Sequence, residues 1–167
     1  MVRAAAVLLA AAAALLPPGA AAAGCLDGRW PLERESAALA APPDGGVLEA
    51  GARVQAEPFQ MLTLALAPPA EPPAQPPAKG GPNSGYILLK VEVPGLYQVT
   101  LPQAGWIDVV QQGQMLPAAA FTPAKDCPGV RKSVRFALKG GAALLRISRA
   151  EGTRISFVLS RVDAAGE

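Results

Sequence analysis

The chain of 167 residues contains no histidine. That absence removes Ser-His-Asp and Cys-His catalysis. It also removes the usual zinc sites and the two-His-one-carboxylate iron site. Aromatics are scarce, with two Trp, two Tyr and four Phe, so each is first of all material for a core or its rim. Cysteine is limited to Cys25 and Cys127, which allows one disulfide and no more. Long apolar runs are also lacking. The longest, residues 4–16, falls short of the roughly 18 residues a membrane helix needs, so no membrane span is expected. The chain has no strong charge of either sign: 15 basic residues stand against 13 acidic ones.

What is present begins at the N-terminus. Arg3 supplies a positive start, residues 4–16 an apolar run, Pro17, Pro18 and Gly19 a break, and residues 20–23 the small side chains a signal peptidase reads. Residues 1–24 are therefore expected to be a signal peptide, and the remainder a periplasmic or secreted protein. Cys25 follows at once. The sequence Ala22-Ala23-Gly24-Cys25 partly matches a lipobox, with Ala22 standing where Leu is the common choice. A lipid anchor at Cys25 would make an outer-membrane lipoprotein and leave Cys127 unpaired in an oxidising compartment, which is uncommon. Leu26 and Trp30-Pro31-Leu32 are also packing residues rather than a polar tether. The preferred reading is a Cys25–Cys127 disulfide, which closes a loop worth on the order of 4 to 5 kcal/mol in the chain-entropy model. The lipid anchor is the alternative.

Residues 25–52 read as an N-terminal extension packing on the domain, with one or two helical turns over residues 34–41 ended by Pro42. Residues 53–163 read as the domain itself. Residues 68–84 interrupt it with prolines at 68, 69, 72, 73, 76, 77 and 82, a loop of polyproline character. Period-two alternation then dominates. Ile87, Leu89, Val91 and Val93 form one set, Tyr97, Val99 and Leu101 the next, and residues 106–111 a third strand. Val134, Phe136 and Leu138, then Leu145 and Ile147, then Ile155, Phe157 and Leu159 continue the pattern. Residues 117–129 read as a loop holding Cys127. Short alternating strands separated by turn signals indicate an all-β fold, an antiparallel β-sandwich of jelly-roll type with about eight or nine strands.

Between Gly85 and Val162 the order of features is Gly85-Tyr86-Ile87, Pro94-Gly95-Leu96-Tyr97, Trp106-Ile107-Asp108-Val109-Val110, a loop with Cys127, Gly140-Gly141 and Leu144-Leu145-Arg146-Ile147. This stretch resembles the bacterial pre-peptidase C-terminal type of β-sandwich and carbohydrate-binding-like jelly rolls. The resemblance implies the fold and no site, because Asp108 lacks the acidic partners of a calcium cluster. The chain is also similar to small secreted bacterial proteins that carry a homogentisate dioxygenase label. That activity is unsupported here, since the enzyme holds iron with histidines.

Nine of the fifteen basic residues fall between Lys125 and Arg161, against Asp126 and Glu151. They form either a basic face for an anionic surface or wet-face charges neutralised across the sandwich, the preferred reading. Candidate binding residues are Trp106, Asp108, Arg131, Lys132 and Arg135. The Gly-rich residues 79–85 lack the Gly-Lys-Ser/Thr ending of a phosphate loop. Ser84, Thr100 and Ser133 have no base to activate them. A hydrolase built on carboxylates alone would draw on Glu92, Asp108 and Asp126, which are scattered in the sequence. The expectation is a non-enzymatic module of the bacterial cell envelope. Its partner would be cell-wall or capsular carbohydrate or an envelope protein. Neither nucleic acid, cofactor nor metal is expected, and the alternative is a membrane-anchored lipoprotein of structural role.

Overall fold

Alternating apolar residues build two facing sheets in the computed structural model, which describes Cys25 and residues 29–70, 80–124 and 126–162. The expected signal peptide, residues 71–79 of the Pro-rich loop, Lys125 and Asp163 lie outside the described residues. The elements are α1 (Glu33–Ala40), β1 (Val47–Leu48), β2 (Ala52–Gln55), β3 (Phe59–Ala65), β4 (Asn83–Val91), β5 (Gly95–Leu101), β6 (Trp106–Gln111), β7 (Gln114–Met115), β8 (Ala120–Pro123), β9 (Lys132–Leu138), β10 (Gly141–Ala150) and β11 (Arg154–Val162).

One sheet runs β1-β3-β11-β5-β9-β8 and the other β2-β4-β10-β6-β7. Four antiparallel pairings nest inside one another: β3 with β11, β4 with β10, β5 with β9, and β6 with β7. The chain thus behaves as one long hairpin rolled onto itself. The pairings β5–β11 and β6–β10 then join the turns of the roll. This is the jelly-roll arrangement of a β-sandwich. The β6–β7 hairpin at its centre turns through Gln112 and Gly113, both at positive φ, as a two-residue primed turn requires.

Two expectations need correction. The described residues hold eleven strands rather than eight or nine, and the sheets are mixed rather than purely antiparallel. β1 runs parallel to β3, and β2 parallel to β4. β8 falls inside the stretch expected to be a loop. Its four residues, Ala120-Phe121-Thr122-Pro123, show little alternation. An edge strand forms only one ladder and tolerates a terminal proline, so it leaves little trace in the sequence.

The inner faces meet through Leu64, Ile87, Leu89, Val99, Leu101, Val109, Phe136, Leu145, Ile147, Phe157 and Leu159, all buried. Fully burying a side chain of this size contributes about 1.5–3 kcal/mol. Tyr97 joins them and donates its hydroxyl to the Val93 carbonyl at 2.8 Å. Burial pushes its phenol pKa up.

A second, smaller cluster lies on the outer face of the six-stranded sheet. Cys25, Trp30 and Leu32 pack there with Ala124, Cys127 and Val130. The Cys25–Cys127 disulfide is present, with Cα atoms 4.3 Å apart. Helix α1 carries Glu33 and Glu35 in its first turn, where the helix dipole favours negative charge. Ser36 donates to the Pro128 carbonyl at 2.6 Å. Beneath this cover the polar residues of the alternation are buried. Thr100 and Ser133 share a hydrogen bond of 2.9 Å, and Glu35 accepts from Gln98 at 2.8 Å and from Ser160 at 3.0 Å. Alternation alone assigns such residues to a wetted face. The N-terminal extension covers that face instead, and the network pairs these side chains, while Trp30 Nε1 and Glu33 Oε1 in the cover are buried without a partner.

Candidate functional site

At one edge of the sandwich the sheets part between β6 and the β8–β9 pair. Two adjoining cavities of about 320 and 340 Å³ open there. Both are lined by Trp106, Phe121 and Lys132. The first adds Gly80, Ala104, Gly105, Pro123, Arg131 and Arg149, and the second Ile107, Ala118 and Val134. Trp106 is 53% exposed and Phe121 47%. Two aromatic side chains from facing sheets therefore wall one cleft.

Trp106 is the first residue of β6, and its indole N–H donates to Asp108 Oδ1 at 3.0 Å. Two residues apart on a strand, the side chains share a face. Arg146 stands directly opposite Asp108 in the β6–β10 ladder. Its Nη2 and Nε donate to Oδ2 at 2.6 and 3.1 Å. Both carboxylate oxygens of Asp108 are thus engaged. The side chain is 10% exposed and orients Trp106 from behind.

The cations arrive by different routes. Lys132 opens β9, donates its ammonium to the Gly105 carbonyl, and lies 5.6 Å from the Trp106 ring centroid. Burial, with the charge of Arg131 beside it, pulls its pKa below the ordinary lysine value. Arg149 is delivered by an irregularity. The β4–β10 register shifts between Ile147 and Ala150, and Arg149 takes a φ of 54°. A bulge of this kind re-aims a side chain, and here it brings the guanidinium to 5.5 Å from the Trp106 centroid. The bulge is held by the Gly80-Gly81 pair. Gly81 N–H donates to the Arg149 carbonyl at 3.2 Å. A Cβ on Gly80 would sit 2.3 Å from that same oxygen, and one on Gly81 2.3 Å from the Ala150 carbonyl.

The structure therefore brings together Trp106, Arg131 and Lys132 and sets Asp108 behind them. It places Arg135 elsewhere. Arg135 is 7% exposed, its guanidinium lies 4.0 Å from the Trp30 ring centroid, and its Nε donates to Gln98 at 3.0 Å. An odd spacing on β9 sends Lys132 and Arg135 to opposite sides of the sheet. Trp30 is packed, at 7% exposure. Sequence reasoning missed Phe121 and Arg149. Phe121 lay within an apparent loop, and no local signal marks the bulge that aims Arg149. The Gly80-Gly81 pair was visible, but its role of close backbone approach depends on a partner far along the chain. Among the described residues, no three His, Cys, Asp or Glu side chains come together to hold a metal ion. Glu92 lies in an exposed pair with Lys90, and neither it nor Asp126 lines the cleft. The arrangement offers an aromatic platform, an apolar wall and three cations, a composition for holding a ligand.

No family model matches the chain, and no curated protein matches it. Among solved structures, a beta-glucosidase from Paenibacillus barengoltzii is similar to it at 17% identity with a TM-score of 0.31. The match covers 71% of this chain and 12% of the glucosidase chain. A likeness that slight carries no argument about fold or activity.

Proposed function

We propose that this protein is an exported, non-catalytic β-sandwich module of the cell envelope that binds carbohydrate in the Trp106 cleft. The observation that carries this reading is the half-exposed Trp106, fixed by Asp108 on a strand end and faced by Phe121 across an open cleft. An exposed aromatic pair in a molecule with few aromatics fits a binding platform better than packing. Sugar rings present apolar C–H faces to such a surface and hydroxyls to its polar rim. Export is supported by the signal-like residues 1–24 and by the disulfide, a bond of oxidising compartments. A sulfur joined to Cys127 is not open to forming a thioether with a lipid, so the disulfide argues against a lipid anchor at Cys25. No helix among the described residues is long and apolar enough to cross a membrane.

The test is retention of the exported protein on a panel of cell-wall and capsular polysaccharides, followed by calorimetry with oligosaccharides of those retained. Binding that Trp106→Ala abolishes supports the reading. Retention by none of the panel, or a Trp106→Ala variant that binds unchanged, overturns it. Mass spectrometry of the exported chain is expected to give an N-terminus near Cys25 with no lipid mass.

A further inference from the structure

Resting on that reading, we infer that the carbohydrate is acidic, with sugar carboxylates received by Arg149, Lys132 and Arg131 while a ring stacks on Trp106. The cleft gathers three cations, and no carboxylate is among its described lining residues. Outside the cleft, three cations are held by acceptors of their own. Arg146 is held by Asp108, Lys90 by Glu92, and Arg135 by Gln98. In the cleft Lys132 donates to the Gly105 carbonyl, a neutral acceptor, no carboxylate answers the three charges among the described lining residues, and the cations are placed at a cost. Arg149 occupies the left-handed region, which an arginine enters at an energetic penalty. The bulge that holds it there depends on two glycines. Lys132 is half-buried beside Arg131, where burial and like charge both disfavour its ammonium. The Trp106 ring offsets part of this through its electron-rich face. An anionic ligand would relieve the rest.

The form of the cleft narrows the ligand further. A small inorganic anion would need only the cations. The apolar wall of Phe121, Pro123 and Ala104 suits a ligand with a body as well as a charge. A uronate ring supplies both, with its carboxylate in the ring's periphery where a guanidinium can take it in two hydrogen bonds. A single-stranded polynucleotide also combines stacking rings with anions. Its bases need a run of aromatic platforms, however, and this cleft has a single facing pair.

The experiment is calorimetry of the full exported protein with hexamers of galacturonate, mannuronate, guluronate and glucuronate, each beside its methyl-esterified or carboxyl-reduced counterpart. A thymidine hexanucleotide and inorganic phosphate are run as further probes. At least one acidic hexamer is expected to bind about tenfold or more tightly than its neutral counterpart, the gain of charge-assisted hydrogen bonds. Arg149→Ala and Lys132→Met are each expected to lower that acid-to-neutral ratio several-fold. Arg149→Lys, which keeps the charge and loses the fork, is expected to fall between. Added salt should erode the acidic affinity far more than the neutral one. If neutral and acidic forms bind alike, the inference fails and the carbohydrate reading stands. If no sugar binds, both fail. Preference for the oligonucleotide, or phosphate competing at equal concentration, also overturns the inference.

Discussion

The two tryptophans of this protein each sit beside a cation from strand β9, and their fates are opposite. Trp30 lies against Arg135, sealed under the N-terminal extension, and Trp106 lies near Lys132 at an open edge. The cations are three residues apart on one strand, an odd offset that assigns them to different sides of the sheet. On the sealed side, Glu35, Gln98 and Ser160 complete one another's hydrogen bonds and the disulfide ties the cover down. On the open side, the aromatic ring and the charges remain accessible. A tryptophan beside a cation serves cohesion where water is excluded and, in the function proposed above, recognition where it is not.

The sealed side depends most on its disulfide. Replacing Cys25 and Cys127 together with Ser is expected to lower stability by about 4 to 5 kcal/mol, read as a shift of the urea midpoint, with Trp30 fluorescence moving to the red as its cover loosens. A fluorescence maximum that stays put while stability falls would show that the extension docks without its staple. Next come the tryptophans themselves. Trp30→Ala is expected to cost about 3 kcal/mol, as truncation of a buried aromatic does. Trp106→Ala should fall within about 0.5 kcal/mol of the wild type while losing ligand. Equal losses of stability would erase the distinction between the two sites.

Glu35→Ala removes the acceptor shared by Gln98 and Ser160, and leaving those groups unpaired is expected to cost about 1 to 3 kcal/mol. Glu35→Gln keeps an acceptor and should recover part of that loss.

The smallest effect is one of pH. Lys132 is held below its ordinary value of 10.5, chiefly by burial and then by Arg131. The unfolded chain therefore binds more protons than the folded one between the lowered value and the ordinary one. In that window this group makes stability rise with pH. Affinity for an acidic ligand should fall in the same window, since a neutral amine cannot pair with a carboxylate. An affinity that holds constant up to the ordinary lysine range would place Lys132 outside the contact.

Much of the sandwich was legible because its signals are local. Period-two alternation located β4, β5, β6, β9, β10 and β11, and for β6 the expected and observed bounds coincide at Trp106 and Gln111. Pro42 marked the end of α1, and two cysteines after a signal-like segment pointed to one disulfide. What escaped depends on distant partners. β8 becomes a strand only because β9 lends it a ladder. Gln98, Thr100 and Ser133 look like wet-face residues until α1 and the segment before it lie over them. Of the cleft, Trp106, Arg131 and Lys132 could be named from neighbouring residues. Phe121 and Arg149 could not, because one enters on an edge strand and the other on a bulge whose glycine support is encoded some seventy residues earlier.

The nested pairing of the jelly roll also fixes a schedule. The entropy lost on closing a loop grows with the chain it encloses, so the β6–β7 hairpin is the least demanding pairing and β3–β11 the most. Folding through such distant contacts is slow. Cys25 leads the described chain and waits for a partner 102 residues behind it. By loop-closure entropy, the bond that fastens the first described residue is therefore expected among the last to become available. Until that bond forms both cysteines are thiols, which the proposed export would expose to an oxidising compartment.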